Sequence, residues 1–139
     1  KHEEALKEAA PDIRPYAIPC YDFATLVEGG HIGDEKAMTA ISQYLGPVRG
    51  EVDAVILGCT HYPFLTEDLK KFLSDTAEII DPAALTAADT KEVLAAHELL
   101  SPYDLEGTIE IYFTGDLNQP KTLADKALNK DMPIHSHQW

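Results

Sequence analysis

Asp53-Ala54-Val55-Ile56-Leu57-Gly58-Cys59-Thr60-His61-Tyr62-Pro63 is the stretch that decides the fold. Residues 53–57 form a short, nearly continuous apolar run after a turn, the pattern of a strand buried on both faces. Gly58 lets the backbone bend sharply, and Pro63 suits the first turn of a following helix. Strand, loop and helix in this order place Gly58–Pro63 at the carboxyl end of a strand. Parallel α/β sheets gather their ligands there.

Working outward, Leu65, Leu69, Phe72 and Leu73 fall on one face of the next helix. Residues 77–81 read as a strand, and a long helix then runs to about Leu100 with Val93, Ala96 and Leu100 inward. Residues 108–113 alternate as a strand does, Thr114-Gly115-Asp116 is a turn, and residues 120–128 form a last helix. Upstream, Ala37, Ile41 and Leu45 recur at helical spacing between Asp34 and Leu45, and Gly46-Pro47 ends that helix. Asp22 is placed to cap a short helix through Glu28, closed by Gly29-Gly30. Residues 13–18 read as a short strand weakened by Pro15. Residues 2–10 read as the end of a helix, with Ala5, Leu6, Ala9 and Ala10 on one side, stopped by Pro11. The alternation of strands and helices predicts an α/β fold with a mainly parallel sheet flanked by helices.

The chain has 139 residues, 45% of them apolar, enough for one ordinary domain with a sizeable core. No apolar run approaches the roughly 18 residues of a membrane span, and no signal peptide opens the chain. A formal charge of −13 repels phosphate backbones, so no nucleic-acid partner is expected. The two cysteines, Cys20 and Cys59, stand in no zinc-ligand spacing, and such sparse usage suits a reducing cytoplasm. His135 and His137 alternate near the end of the chain. They could share a metal, but they read better as a solvated tail, and no metal is expected. The chain opens on Lys1 rather than a methionine, which suggests processing, excision or a longer protein.

Gly58-Cys59-Thr60-His61 carries the chemistry. A thiol just beyond a buried strand, near free backbone N–H groups and a helix start, is biased toward thiolate and lies where a carboxylate can bind. His61, two residues on, can relay a proton to or from that sulfur. The competing reading makes Cys59 a small packed residue and His61 a satisfied loop histidine. A lone cysteine would favour that; this set of residues in this order does not.

Gly58-Cys59-Thr60-His61-Tyr62-Pro63 resembles the second catalytic-cysteine motif of the glutamate racemases. Aspartate racemases of the wider superfamily share Gly-Cys-Thr but usually continue with Glu. Three further stretches agree in order. Cys20 through Glu28 resembles the family's Cys-Pro-x-Phe-x-x-x-Val-Glu, with Tyr21 where proline is usual. Ile79-Ile80-Asp81 resembles the strand after the motif helix, and Tyr112-Phe113-Thr114-Gly115-Asp116 the aromatic–Thr-Gly-Asp strand near the C-terminus.

The resemblance implies cofactor-independent racemisation of glutamate by two cysteines, which supplies D-glutamate for peptidoglycan in a bacterial cytoplasm. Inverting an α-carbon requires removing a proton from one face and returning one to the other. By resemblance Cys59 is one of the two bases, the one serving the L-enantiomer, and His61 assists it. Thr60 contacts the substrate, with Cys59 and His61 also against it, and Glu28 tunes the site. Cys20 is the local alternative for the second base, but it aligns with a non-catalytic cysteine.

The implied parent has two similar α/β lobes, with residues 1–81 in the second lobe and 82–139 returning to the first. Its first half carries an Asp-Ser pair, a Cys-Asn-Thr motif and a Thr/Ser-rich segment, none of which occurs in this chain. The expected partners are glutamate, that missing N-terminal half and further copies in a homo-oligomer. The alternative is a non-catalytic chain that keeps this scaffold for binding or assembly. On this reading the fragment alone is inactive.

Overall fold

A computed structural model describes residues 2–74, 77–103, 107–115, 117, 121–125 and 133–137. Its helices are α1 (His2–Ala9), α2 (Phe23–Glu28), α3 (Glu35–Leu45), α4 (Thr66–Leu73) and α5 (Ala83–Ala96). Its strands are β1 (Ala54–Ile56), β2 (Glu78–Ile80), β3 (Ile111–Phe113) and β4 (Ile134–Ser136). Two 3₁₀ turns, Gly46–Val48 and Tyr62–Leu65, end α3 and precede α4. β1 pairs with β2 and β3 with β4, both in parallel. The expected α/β class with parallel pairing is therefore present.

α3 forms where its apolar spacing and its cap agree. Asp34 has extended backbone, and its carboxylate accepts the Ala37 N–H at 3.0 Å, which satisfies one of the free donors of the first turn. Ala37, Ala40, Ile41 and Leu45 are buried from it. α4 buries Leu69, Phe72 and Leu73, and Leu65 just before it is fully buried. These side chains meet Phe23 and Val27 of α2 and Leu57 after β1 in one core, with Val55 and Ile79 packed against it. Leu123, in a helical stretch at 121–125, also packs there.

Asp68 is the one buried charged side chain in this core among the described residues. It accepts the Gly33 N–H at 2.8 Å, with Lys71 Nζ 3.9 Å away. A buried carboxylate needs such partners, and this one ties α4 to the loop between α2 and α3.

Several expectations are corrected. Residues 13–18 form no strand: Pro15 and Pro19 supply no N–H to a ladder, and Tyr16 lies exposed. β1 is buried on one face only. Val55 and Leu57 turn inward while Ala54 and Ile56 turn outward, with Ile56 47% exposed. α5 ends at Ala96, short of Leu100, and buries nothing; Val93, Ala96 and Leu100 are exposed rather than inward. Its apolar residues are spread around the helix and interleaved with Asp89, Lys91 and Glu92, and among the described residues no layer covers it. The strand expected over 108–113 is confined to Ile111–Phe113. Residues 135–137 are solvated as expected but are paired rather than a tail: His135 sits in β4, and the His137 N–H donates to the Phe113 carbonyl at 2.7 Å. Asp116 and, of the expected last helix, residues 120 and 126–128 lie outside the described residues.

Candidate active site

The site forms where the end of β1 meets the end of α2. The β1 ladder continues one residue further, with the Leu57 N–H donating to the Ile80 carbonyl at 2.9 Å. The chain then leaves the sheet at Gly58 and turns at Cys59–His61, closed by the Tyr62 N–H on the Cys59 carbonyl at 3.1 Å. The regular helix starts only at Thr66, beyond the 3₁₀ turn. Cys59 is therefore not at an α-helix N-terminus, as the sequence suggested. A helix dipole fades within about one turn, so the 3₁₀ turn and His61 are the nearer influences.

Cys59, His61 and Glu28 line up. Cys59 Sγ lies 3.8 Å from His61 Nδ1, and His61 Nε2 lies 2.9 Å from Glu28 Oε1. Cys59 and His61 are half-buried, while Glu28 is 52% exposed. An ionised carboxylate only accepts, so Nε2 carries the hydrogen toward Glu28. Nδ1 is left to accept the thiol proton, or, once the ring is protonated, to donate to a thiolate. Thr60 is exposed on the same turn.

Residue spacing alone could not pair Glu28 with His61, because 33 residues separate them. Nor did it show how the turn is held. The Tyr62 hydroxyl donates to the Cys20 carbonyl at 3.2 Å, and the Tyr62 ring stands edge-on to Phe23 with centroids 5.3 Å apart. Burial raises the Tyr62 pKa, with the neighbouring Cys20 and Cys59 adding to the effect.

Cys20 is placed differently from Cys59. It is buried, its Sγ donates to the Ile18 carbonyl at 3.5 Å, and desolvation pushes its pKa up to about 11. Among the described residues no cluster of three or more His, Cys, Asp or Glu side chains could hold a metal ion, and no helix is long and apolar enough to cross a membrane.

No family model matches the chain. Known proteins do. Glutamate racemase 2 of Caldanaerobacter subterraneus subsp. tengcongensis is 32% identical over 130 residues, 93% of this chain and 49% of the relative. The glutamate racemase of Carboxydothermus hydrogenoformans is 35% identical over 123 residues, 88% of this chain and 45% of the relative. Glutamate racemase isoform RacE1 from Bacillus anthracis superposes with a TM-score of 0.82 at 28% identity, covering 99% of this chain and 52% of that one. By sequence and by fold, this chain belongs with the glutamate racemases.

A further member of that group, glutamate racemase from Francisella tularensis subsp. tularensis SCHU S4 in complex with D-glutamate, shares the fold. Its TM-score is 0.84 at 23% identity, again over 99% of this chain and 52% of that one. The chain spans about half the length of the glutamate racemases it matches.

Proposed function

We propose that this chain supplies one wall of a cofactor-independent glutamate racemase, with Cys59 as one of the two bases. The observation that carries this reading is the alignment of Cys59, His61 and Glu28 at 3.8 and 2.9 Å beyond the end of a parallel strand. Racemisation needs one group that takes the α-proton on one face and another that returns a proton on the other. A thiol beside a histidine can do either, as thiolate or as thiol.

In the direction where Cys59 accepts, thiolate Sγ takes the α-proton and becomes thiol. His61 Nδ1 resets the sulfur by accepting that proton, while Glu28 holds the ring through Nε2 and stabilises the imidazolium. In the reverse direction Cys59 donates. Thr60, exposed beside the thiol, contacts the substrate. Cys20 is unsuited to be the opposite base, because it is buried and holds its proton to about pH 11. The opposite face then comes from the half of the enzyme that this chain lacks.

Residues 1–81 are assigned to the lobe that bears Cys59, and 82–139 to a segment completing the other lobe. α5 supports this assignment, since Leu85 and Val93 stand exposed on a helix that buries no residue, as a helix awaiting a further layer would. Assembly with the other half, and of whole enzymes into a homo-oligomer, follows from the same reading. So does a cytoplasmic role in D-glutamate supply for the cell wall.

The test is racemisation by the whole protein containing this chain, followed by circular dichroism and by α-proton exchange in deuterated water. Cys59→Ser is expected to abolish conversion in both directions while leaving the fold. Substantial surviving conversion removes Cys59 from the mechanism.

A further inference from the structure

His61 and Tyr62, successive residues of one turn, grip opposite ends of α2. His61 Nε2 meets Glu28, the last residue of the helix, at 2.9 Å. The Tyr62 hydroxyl meets the Cys20 carbonyl, just ahead of the helix, at 3.2 Å. Between these points Phe23 lies buried, edge-on to Tyr62 at 5.3 Å and to Tyr44 at 5.5 Å.

α2 is anchored in the core by Phe23 and Val27, and the polar contacts at its two ends set its register on the turn. It is six residues long, too short to be stable on its own. Its N-cap residue, Asp22, makes no side-chain cap and instead accepts the Tyr44 hydroxyl at 2.8 Å. Glu28 and His61 sit on separate elements, so their contact depends on how α2 lies against the turn. Glu28 is exposed and cannot be held there by packing.

We propose that the Tyr62 hydroxyl is a positioning group that keeps α2 in register with the Gly58–Pro63 turn, so that Glu28 meets His61 and His61 faces Cys59. This rests on the reading of Cys59, His61 and Glu28 as a working relay. Tyr62 itself touches none of the reacting atoms. Its ring packs on Phe23, and its hydroxyl fixes the near end of the helix whose far end carries the carboxylate.

Tyr62→Phe keeps the ring and removes only that hydroxyl. In the full chain, the alkylation rate of Cys59 is measured from pH 6 to 9 for the unmodified protein, Tyr62→Phe, Glu28→Gln and the double variant. Long-range proton–nitrogen NMR reports the His61 tautomer alongside, and labelling of the buried Cys20 reports opening of the fold. Losing the carboxylate removes the acceptor that holds the His61 ring toward Cys59, so Glu28→Gln is expected to slow Cys59 labelling at pH 7. Tyr62→Phe is expected to slow it in the same direction, by about threefold to tenfold. The double variant is expected to be no slower than Glu28→Gln, and the Nε2–H tautomer of His61 to lose its dominance in Tyr62→Phe.

The proposal is overturned if Tyr62→Phe matches the unmodified protein while Glu28→Gln does not. It is also overturned if the two effects add in full, or if Cys20 labelling rises in step, because the hydroxyl would then only brace the fold. If Glu28→Gln leaves Cys59 unchanged, the relay itself falls and the positioning role with it.

Discussion

The two thiols of this chain are expected to differ sharply in reactivity, and native-state alkylation is the perturbation that shows it. Burial raises the Cys20 pKa from 9.0 to about 11. Each unit is tenfold in the acid–base equilibrium, so at pH 8 Cys20 holds about a hundredfold less thiolate than an unburied thiol. Access lowers its rate further, since only 7% of the residue is exposed. Cys59 is half-buried at the rim of a turn, with His61 beside it. Iodoacetamide at pH 8, quenched over time and mapped by peptide mass, is expected to label Cys59 at least about a hundredfold faster than Cys20. In urea the two rates are expected to converge.

The same pKa carries a stability term whose sign can be checked. The folded state keeps the Cys20 proton between pH 9 and 11, where the unfolded chain has lost it. Its contribution is thus fully present below pH 9 and declines as pH rises to 11, by at most about 2–3 kcal/mol. Cys20→Ala is expected to flatten that part of the pH profile. Comparable labelling of the two cysteines in the folded chain, or a stability profile that ignores Cys20→Ala, would refute the reasoning.

Asp68→Ala leaves the Gly33 N–H without its partner and is expected to cost about 1–3 kcal/mol in urea unfolding. Asp68→Asn keeps an acceptor and should cost less; equal losses would point to the charge rather than the hydrogen bond. The 139 residues alone are expected not to racemise glutamate, since only one face of the α-carbon is served, and deuterium incorporation without inversion would be the most they show. Sedimentation is expected to find self-association through the uncovered apolar surface of α5, where Leu85 and Val93 are 66% and 58% exposed; a strictly monomeric chain at high concentration would count against that. The whole enzyme is expected to turn over glutamate in preference to aspartate, and equal kcat/KM for the two would reject the reading of His61-Tyr62-Pro63 as a glutamate signature.

What could be read from the sequence was what is local. α3 was legible because its apolar spacing, the Asp34 cap and Gly46-Pro47 all agree, and the burial of Leu65, Leu69, Phe72 and Leu73 followed from the same periodicity. The Gly58–Pro63 turn was legible because its residue types are specific. Contacts between distant segments were not. Nothing in residue spacing brings Glu28 to His61 or Tyr62 to the Cys20 carbonyl, and only the family resemblance singled out Glu28. β1 was misread as buried on both faces because an apolar run does not say whether a layer covers each face. α5 misled for the same reason. β4 escaped because Ile-His-Ser is too short and too polar to signal a strand until Tyr112 is found stacked on His135, with centroids 5.0 Å apart.

Every buried residue among those described lies between Cys20 and Leu73. That placement bears on how the protein is made. During synthesis the N-terminal part of a chain folds first, and contacts close in sequence form fastest. The core, the Cys59 turn and the Glu28 contact all involve residues 20–73, and β1 needs only β2, ending at Ile80, to complete its ladder. Once Ile80 has cleared the ribosome, the reactive thiol and its histidine can already be in place, before α5 and the parallel pair β3–β4 have emerged.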